Sequence, residues 1–430
     1  MKTPVSDFIN EYIQKDVTRL HMPGHKGVGA PGDITEVAGA DVLYHASGIL
    51  AQSQENAARI FGAAKTVYSA EGSSLCMRAM VYLTRLYARR RPVIAACRNA
   101  HKTFVTAAAL LDAEVKWLYG SGDDLVSCDM TPRQVESFLQ ENKPDALYLT
   151  SPDYLGNEMD IAAIAELCHK YHTLLLVDNA HGAYLKFLGR HPMDLGADMC
   201  CDSAHKTLPV LTGGAYLHIA KDGFLAQQAE NAMSLFASTS PSYLILRSLD
   251  ACNAYLQDYP QKLTRTVERV AKVKDTLQNC GYRFVGTEPL KLTIDAKAYG
   301  YLGTHLADLL ESDRIVCEFS DPDYLVCMIT PENRPEDLQK LQTCLQNTPA
   351  KTPVESKMPP AGVPVQAMSM HEAIMQPGRK CPLKDCLGKI LASPTVSCPP
   401  AVPVLVCGEV VTAEAIAFME YYGIESLYVI

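Results

Sequence analysis

Leu174-Leu175-Leu176-Val177-Asp178-Asn179-Ala180-His181-Gly182 and, further along, Ser203-Ala204-His205-Lys206-Thr207 are the stretches on which the fold turns. An unbroken apolar run closing on a carboxylate is the sequence form of a fully buried parallel strand that delivers an acid at its carboxyl end. Ligands of open α/β sheets bind at that end. An acid so placed can pair with a protonated pyridine nitrogen, and a lysine amine can form a Schiff base, which are the two groups that pyridoxal phosphate (PLP) requires. Each residue alone has a plainer explanation, Asp178 as a helix cap and Lys206 as a solvated surface cation. The pair leaves that choice open, and the flanking residues settle it.

His21-Met22-Pro23-Gly24-His25-Lys26-Gly27, Asp33-Ile34-Thr35-Glu36, Arg98-Asn99-Ala100-His101-Lys102, Asp178 to Gly182, Ser203 to Lys206 and Ser240-Pro241-Ser242-Tyr243 follow one another in that order. Six such motifs resemble the bacterial ornithine/lysine/arginine decarboxylase family of fold-type-I PLP enzymes, in its compact form without an N-terminal regulatory domain. The resemblance implies an α/β protein: a transferase-like large PLP-binding domain with a mostly parallel sheet, a small α+β domain and a short C-terminal domain. These are expected at 21–262, 263–346 and 365–430, after an N-terminal arm over 1–20. The polar, proline-bearing residues 347–364 read as a linker.

Roles come with the resemblance. Lys206 is the Schiff-base lysine, Asp178 the partner of the pyridine nitrogen, His101 the residue stacked on the ring, and Ala180 the small residue beneath it. His181 approaches the phenolic oxygen or the substrate carboxylate, and Ser203 and His205 add phosphate contacts. His25 lies in a Pro- and Gly-dense loop that the family places near the active site. The segment with Thr239 and Ser240 has two readings: it completes the phosphate site of a neighbouring subunit, or it caps a helix without a ligand. On the first, the chain is a homodimer or dimer-based oligomer with shared active sites.

The residues themselves predict the phosphate seat. A strand Thr66-Val67-Tyr68-Ser69, the turn Glu71-Gly72-Ser73-Ser74 and a helix from about Leu75 to Arg90 place unpaired N–H groups and the helix dipole on one turn. Gly72, Ser73 and Ser74 are the expected phosphate ligands, although serines there serve equally well as N-caps. Glutamate beside a phosphate is repulsive, so Glu71 is expected to point away or toward a cationic substrate. A cationic distal group needs an acidic partner, for which Glu71, Glu318 and Glu409 are the candidates.

Composition narrows the alternatives. The 430 residues are 48% hydrophobic and 20% charged with net charge −9, ordinary for a globular protein and without a nucleic-acid footprint. Fifteen cysteines are scattered through apolar segments with no C-x-x-C pair, which reads as buried free thiols rather than a disulfide frame or a metal site. The N-terminus lacks an apolar signal core and no apolar run reaches membrane-spanning length, so a cytoplasmic protein with no membrane partner is expected. In the second half a helix is expected over Lys262 to Cys280, another near Thr304 to Ser312, and strands over Leu290–Ile294, Ile315–Phe319 and Tyr324–Ile329.

The expected function is PLP-dependent decarboxylation of a small-molecule substrate, lysine, ornithine or arginine. A PLP-dependent lyase or aminotransferase acting on another amino acid is the alternative. A non-catalytic PLP-binding protein is a third reading, and it has no need of Asp178, His101 and Lys206 together.

Overall fold

The computed structural model describes all residues except 121–128, 356–357, 361 and 399–401. The alternation of short apolar runs with amphipathic ones produces seven strands: β1 (Lys65–Ser69), β2 (Val93–Cys97), β3 (Glu114–Leu118), β4 (Ala146–Thr150), β5 (Leu174–Asp178), β6 (Met199–Asp202) and β7 (Ala215–Ile219). They form one mostly parallel sheet in the order β1-β7-β6-β5-β4-β2-β3. β5 runs parallel to β6 with Val177 opposite Cys200, whereas β7 is antiparallel to both β6 and β1. The reversal comes at Gly213-Gly214. Gly213 has φ +99°, and a Cβ there would lie 2.8 Å from the carbonyl oxygen of Ala70, so only glycine fits.

Contacts divide the chain into two compact units, one of Met1–Ile94, Pro132–Leu149 and Asp160–Pro260, the other of Ala95–Thr131, Thr150–Met159 and Gln261–Ile430. In the first, every residue of β5 is buried, as its uninterrupted apolar run requires. The helix Ser73–Ala88 starts two residues before its expected place because Gly72 already supplies the N-cap. The helix Ile49–Phe61 ends where left-handed Gly62 lets the chain turn. The helix Pro4–Gln14 packs against Ile49–Phe61 and Tyr243–Tyr255, burying Val5 and Ile9.

The second unit holds a four-stranded antiparallel sheet in the order β10-β11-β9-β8, made of β8 (Phe284–Val285), β9 (Lys291–Asp295), β10 (Phe319–Ser320) and β11 (Tyr324–Met328). The expected strand Ile315–Phe319 shrinks to Phe319–Ser320. Its register pairs Phe319 with Val326, and the residues before it peel away, leaving Val316 87% exposed. A helix at Pro335–Asn347 was not expected, yet its signals are legible: proline in the first turn and Leu338, Leu341 and Leu345 on one buried face. The C-terminal strands pair as Arg379–Pro382 with Ser426–Val429 and Thr395–Cys398 with Val402–Val406, over a core that includes Cys386, Leu391, Leu405 and Phe418. Every cysteine whose side chain is described is free. No described helix is long and apolar enough to cross a membrane.

Candidate active site

β5 carries Asp178 to its carboxyl end at 2% exposure. The Tyr148 hydroxyl, from β4, donates to Oδ2 at 3.0 Å, while Oδ1 accepts from the Ala180 N–H at 3.2 Å and the Cys201 thiol at 3.7 Å. Burial pushes the Cys201 thiol well up, so it stays a neutral donor. All three partners are uncharged. They fix the carboxylate without neutralising it.

β6 delivers Ser203 and the single turn Ala204–Thr207, which sets Lys206 on the next strand over from Asp178. The Lys206 Nζ lies 3.0 Å from His181 Nε2. Ser203 Oγ donates to Ser73 Oγ at 2.8 Å, which joins the lysine turn to the first turn of the helix Ser73–Ala88. Gly72 adopts φ +74°, ψ 177°, and its N–H binds the Gly213 carbonyl at 2.7 Å. The structure thus brings together Gly72, Ser73, Ser203, His181, Lys206, Asp178 and Ala180, with Ser74 in the same first turn.

Other expected residues are engaged elsewhere. His205 directs Nδ1–H at the Gly214 carbonyl at 3.0 Å; burial, with Lys206 beside it, holds its pKa down. Its Nε2 is then a bare acceptor, so donation to a phosphate requires that the anion itself raise the ring's basicity. Glu71 is exposed and its Oε1 accepts the Ser238 N–H at 2.7 Å, turning the acid toward the segment before the helix Tyr243–Tyr255. Thr239 and Ser240 in that segment are exposed. His25 accepts from the Gly27 N–H through Nδ1 at 3.0 Å and donates from Nε2 to Asp33 at 3.1 Å.

In the second unit, His101 caps the helix Lys102–Leu110, its Nδ1 accepting from the Thr103 N–H at 3.2 Å. Exposed Glu318 accepts from the Tyr154 hydroxyl at 3.2 Å. Glu409 requires a correction. Its two oxygens take a bidentate pair from Arg98 at 2.9 and 2.7 Å, one also accepts the Val406 N–H at 2.8 Å, and both charged side chains are only 2% exposed. A carboxylate so occupied holds the protein together rather than reading a substrate.

Two features escaped the sequence. Tyr148 sits in a buried strand, where a phenol needs a polar partner, and that was the available signal. The second is a fully buried network on Asp202, whose Oδ2 lies 2.9 Å from His191 Nε2 and 3.2 Å from His218 Nε2, while Oδ1 accepts from Asn179 at 2.6 Å. Burial opposes its charge, but the two histidines outweigh burial and hold the Asp202 pKa down. His191, Cys200 and Asp202 lie close enough to suggest a metal cage. However, the Met193 N–H donates to His191 Nδ1 at 3.2 Å, so the ring proton sits on Nε2 and points at Asp202, leaving no lone pair there for a metal.

A mostly parallel sheet that presents an acid and a lysine on adjacent strand ends, beside a glycine-serine helix start, defines the fold-type-I class of α/β enzymes. The chain belongs to the Orn/Lys/Arg decarboxylase family: the profile described as "Orn/Lys/Arg decarboxylase, major domain" matches residues 31–287. It is similar to "Uncharacterized protein YaaO" of Bacillus subtilis, at 29% identity over 97% of this chain and 93% of the relative. An arginine decarboxylase of Bacillus subtilis is 28% identical over the same shares. The lysine decarboxylase LdcF of Francisella novicida has the same fold, with TM-score 0.82 at 16% identity over 100% of this chain and 81% of that one. The expectation of an amino-acid decarboxylase is met by this membership.

Proposed function

We propose that the chain decarboxylates arginine, using PLP held by Lys206, Asp178 and the Gly72–Ser73–Ser203 seat. The observation that carries this reading is the pairing of Lys206 Nζ with His181 Nε2 at 3.0 Å, one strand away from a buried Asp178 whose partners are all neutral. The groups fit the cofactor: two serine hydroxyls and a helix N-terminus suit its phosphate, the lysine its aldehyde, and the acid its ring nitrogen. A Cβ at Gly72 would meet nothing nearer than the Ser74 nitrogen at 3.9 Å, so the turn is open on the side a phosphate would occupy.

When bound, PLP accepts the electron pair left at Cα as CO2 departs. The protein's own residues do the rest. Asp178, locked by Tyr148, Ala180 and Cys201, holds a proton on the ring nitrogen. His181 Nε2 accepts from Lys206 Nζ, which keeps the amine oriented and supplies a partner for the proton that must return to Cα. Burial of Asp178, His181 and Ser203, each at 5% exposure or less, keeps water from quenching the charge that develops. Arginine is placed ahead of lysine and ornithine because a relative named for arginine matches almost the whole length. Exposed Glu71 or exposed Glu318 is the acid left to read its guanidinium. Exposed Thr239 and Ser240 are assigned to the phosphate site of a second copy, which makes the active form a homodimer.

The test is to incubate the PLP-loaded protein with arginine, lysine and ornithine separately, and to measure CO2 and the matching amine. Arginine should release both. Borohydride reduction followed by peptide mass analysis checks that PLP is attached at Lys206. Attachment there without CO2 from any of the three amino acids would overturn the assignment.

A further inference from the structure

The C-terminal segment carries a cluster of nucleophilic side chains that decarboxylation does not use. The strand Arg379–Pro382 is followed by the tight turn Leu383–Asp385, and this folds Cys386 back beside Cys381. Cys386 Sγ lies 3.1 Å from the Pro382 carbonyl oxygen and 3.6 Å from that of Cys381, while Cys381 Sγ lies 3.6 Å from the Asp385 carbonyl oxygen. The Lys389 N–H then bonds the Cys386 carbonyl at 3.0 Å, and this return of the chain sets Lys389 Nζ 3.0 Å from Cys381 Sγ. Pro382, Lys384, Asp385 and Leu387 around the pair are exposed, whereas Cys381 is 6% and Cys386 0% exposed, so the two thiols lie just beneath a surface turn.

We propose that Cys381 and Cys386 are a redox pair, with Cys381 the attacking thiolate, Lys389 its activating cation and Cys386 the resolving thiol. A hydroperoxide is the co-reactant. Cys381 sulfur attacks one peroxide oxygen, the O–O bond breaks, and a sulfenic acid forms as hydroxide leaves. The Cys386 sulfur then attacks the Cys381 sulfur; the S–S bond forms, the S–O bond breaks, and the thiol proton leaves with the hydroxyl as water. The net change is two thiols and one hydrogen peroxide to one disulfide and two waters.

The electrostatics divide the roles in the same way. Lys389 foremost, then the Cys386 S–H, hold the Cys381 pKa below the usual thiol range, against burial and the Asp385 carboxylate. Burial, then Cys381 itself, pushes Cys386 up to about 11, so it remains a thiol until the sulfenic acid has formed. Other thiols provide internal controls: burial pushes Cys168, Cys327 and Cys407 up to about 12.

The test treats the full-length protein with hydrogen peroxide, blocks remaining thiols and maps peptides. Cleavage after Lys384 separates the two cysteines, so the expected disulfide joins two tryptic peptides with the loss of two hydrogens. In Cys386→Ser, Cys381 should instead be trapped as a dimedone adduct. Lys389→Met leaves the core untouched and should slow iodoacetamide alkylation of Cys381 near neutral pH by about tenfold for each unit its pKa rises. Alkylation of Cys381 no faster than that of Cys168, Cys327 and Cys407 would overturn the proposal. So would an unchanged rate in Lys389→Met, or an oxidised product lacking the Cys381–Cys386 bond.

Discussion

Glu409→Ala tests whether that carboxylate serves to hold buried Arg98 rather than to read a substrate. The substitution removes both acceptors of the Arg98 guanidinium, at 2.9 and 2.7 Å, together with the acceptor of the Val406 N–H. Breaking a buried ion pair by deleting one partner costs ~3–5 kcal/mol, because the other charge stays buried without compensation. Arg98 keeps some support: the Val404 carbonyl at 3.0 Å and the face of Trp117, whose centroid is 4.9 Å from the guanidinium carbon. A cation over an aromatic face is worth ~1 kcal/mol, which places the expected loss near the lower end, at about 3 kcal/mol. Replacing both partners by apolar residues, Arg98→Met with Glu409→Leu, should recover most of it. Urea unfolding followed by tryptophan emission suits the measurement, since Trp117 is the chain's single tryptophan and lies against Arg98. An Ala variant within about 1 kcal/mol of the parent, or a double variant no better than the single one, would refute the reasoning. Unchanged stability with a raised KM for arginine would return Glu409 to the role of substrate reader.

Tyr148→Phe removes one donor to the Asp178 carboxylate; a hydrogen bond to a charged group is worth ~1.5–3 kcal/mol, so PLP affinity or kcat/KM should fall about tenfold or more, and equal values would show that the bond is idle. Gly72→Ala meets no clash but asks alanine to adopt φ +74°, ψ 177°, a region essentially confined to glycine, at ~1–3 kcal/mol. A shift of the helix start and weaker PLP binding should follow; an unaltered PLP titration would count against the phosphate seat. Burial raises the Asp321 pKa from 3.8 to about 6 despite N–H bonds from Tyr324 and Asp323. The folded chain therefore holds that proton more tightly than the unfolded one. The stability this contributes is complete below about pH 4 and is lost as pH rises through about 6, a change of at most ~3 kcal/mol. Asp321→Asn retains an oxygen for both N–H groups and should flatten that part of the unfolding-against-pH curve; a slope equal to the parent's would place the titrating group elsewhere.

Local pattern made much of this molecule legible. The run Leu174–Val177 is apolar at every position, as a strand buried on both faces requires, and Asp178 then emerges at the carboxyl end of that strand. Gly213-Gly214 marks the reversal into β7 and Gly62 a helix end, because backbone conformation at such points depends on the residue itself. The run Ile315–Phe319 misled for the converse reason. β propensity says that a segment can pair, whereas the register of β11 against β10 decides which residues do.

The lysine, the acid, the glycine-serine turn and the family were thus determined by the chain's own order of residues, since each depends on neighbours a few positions away. Contacts between distant positions were not. His181 and Lys206 are brought together by β5 lying beside β6, Tyr148 reaches Asp178 from β4, and Asp202 gathers His191, His218 and Asn179, all fully buried. Glu409 shows the limit most plainly. In the sequence it is one carboxylate among many; in the folded chain Arg98 takes both its oxygens, because a charge buried at 2% exposure survives only where an opposite charge is buried with it.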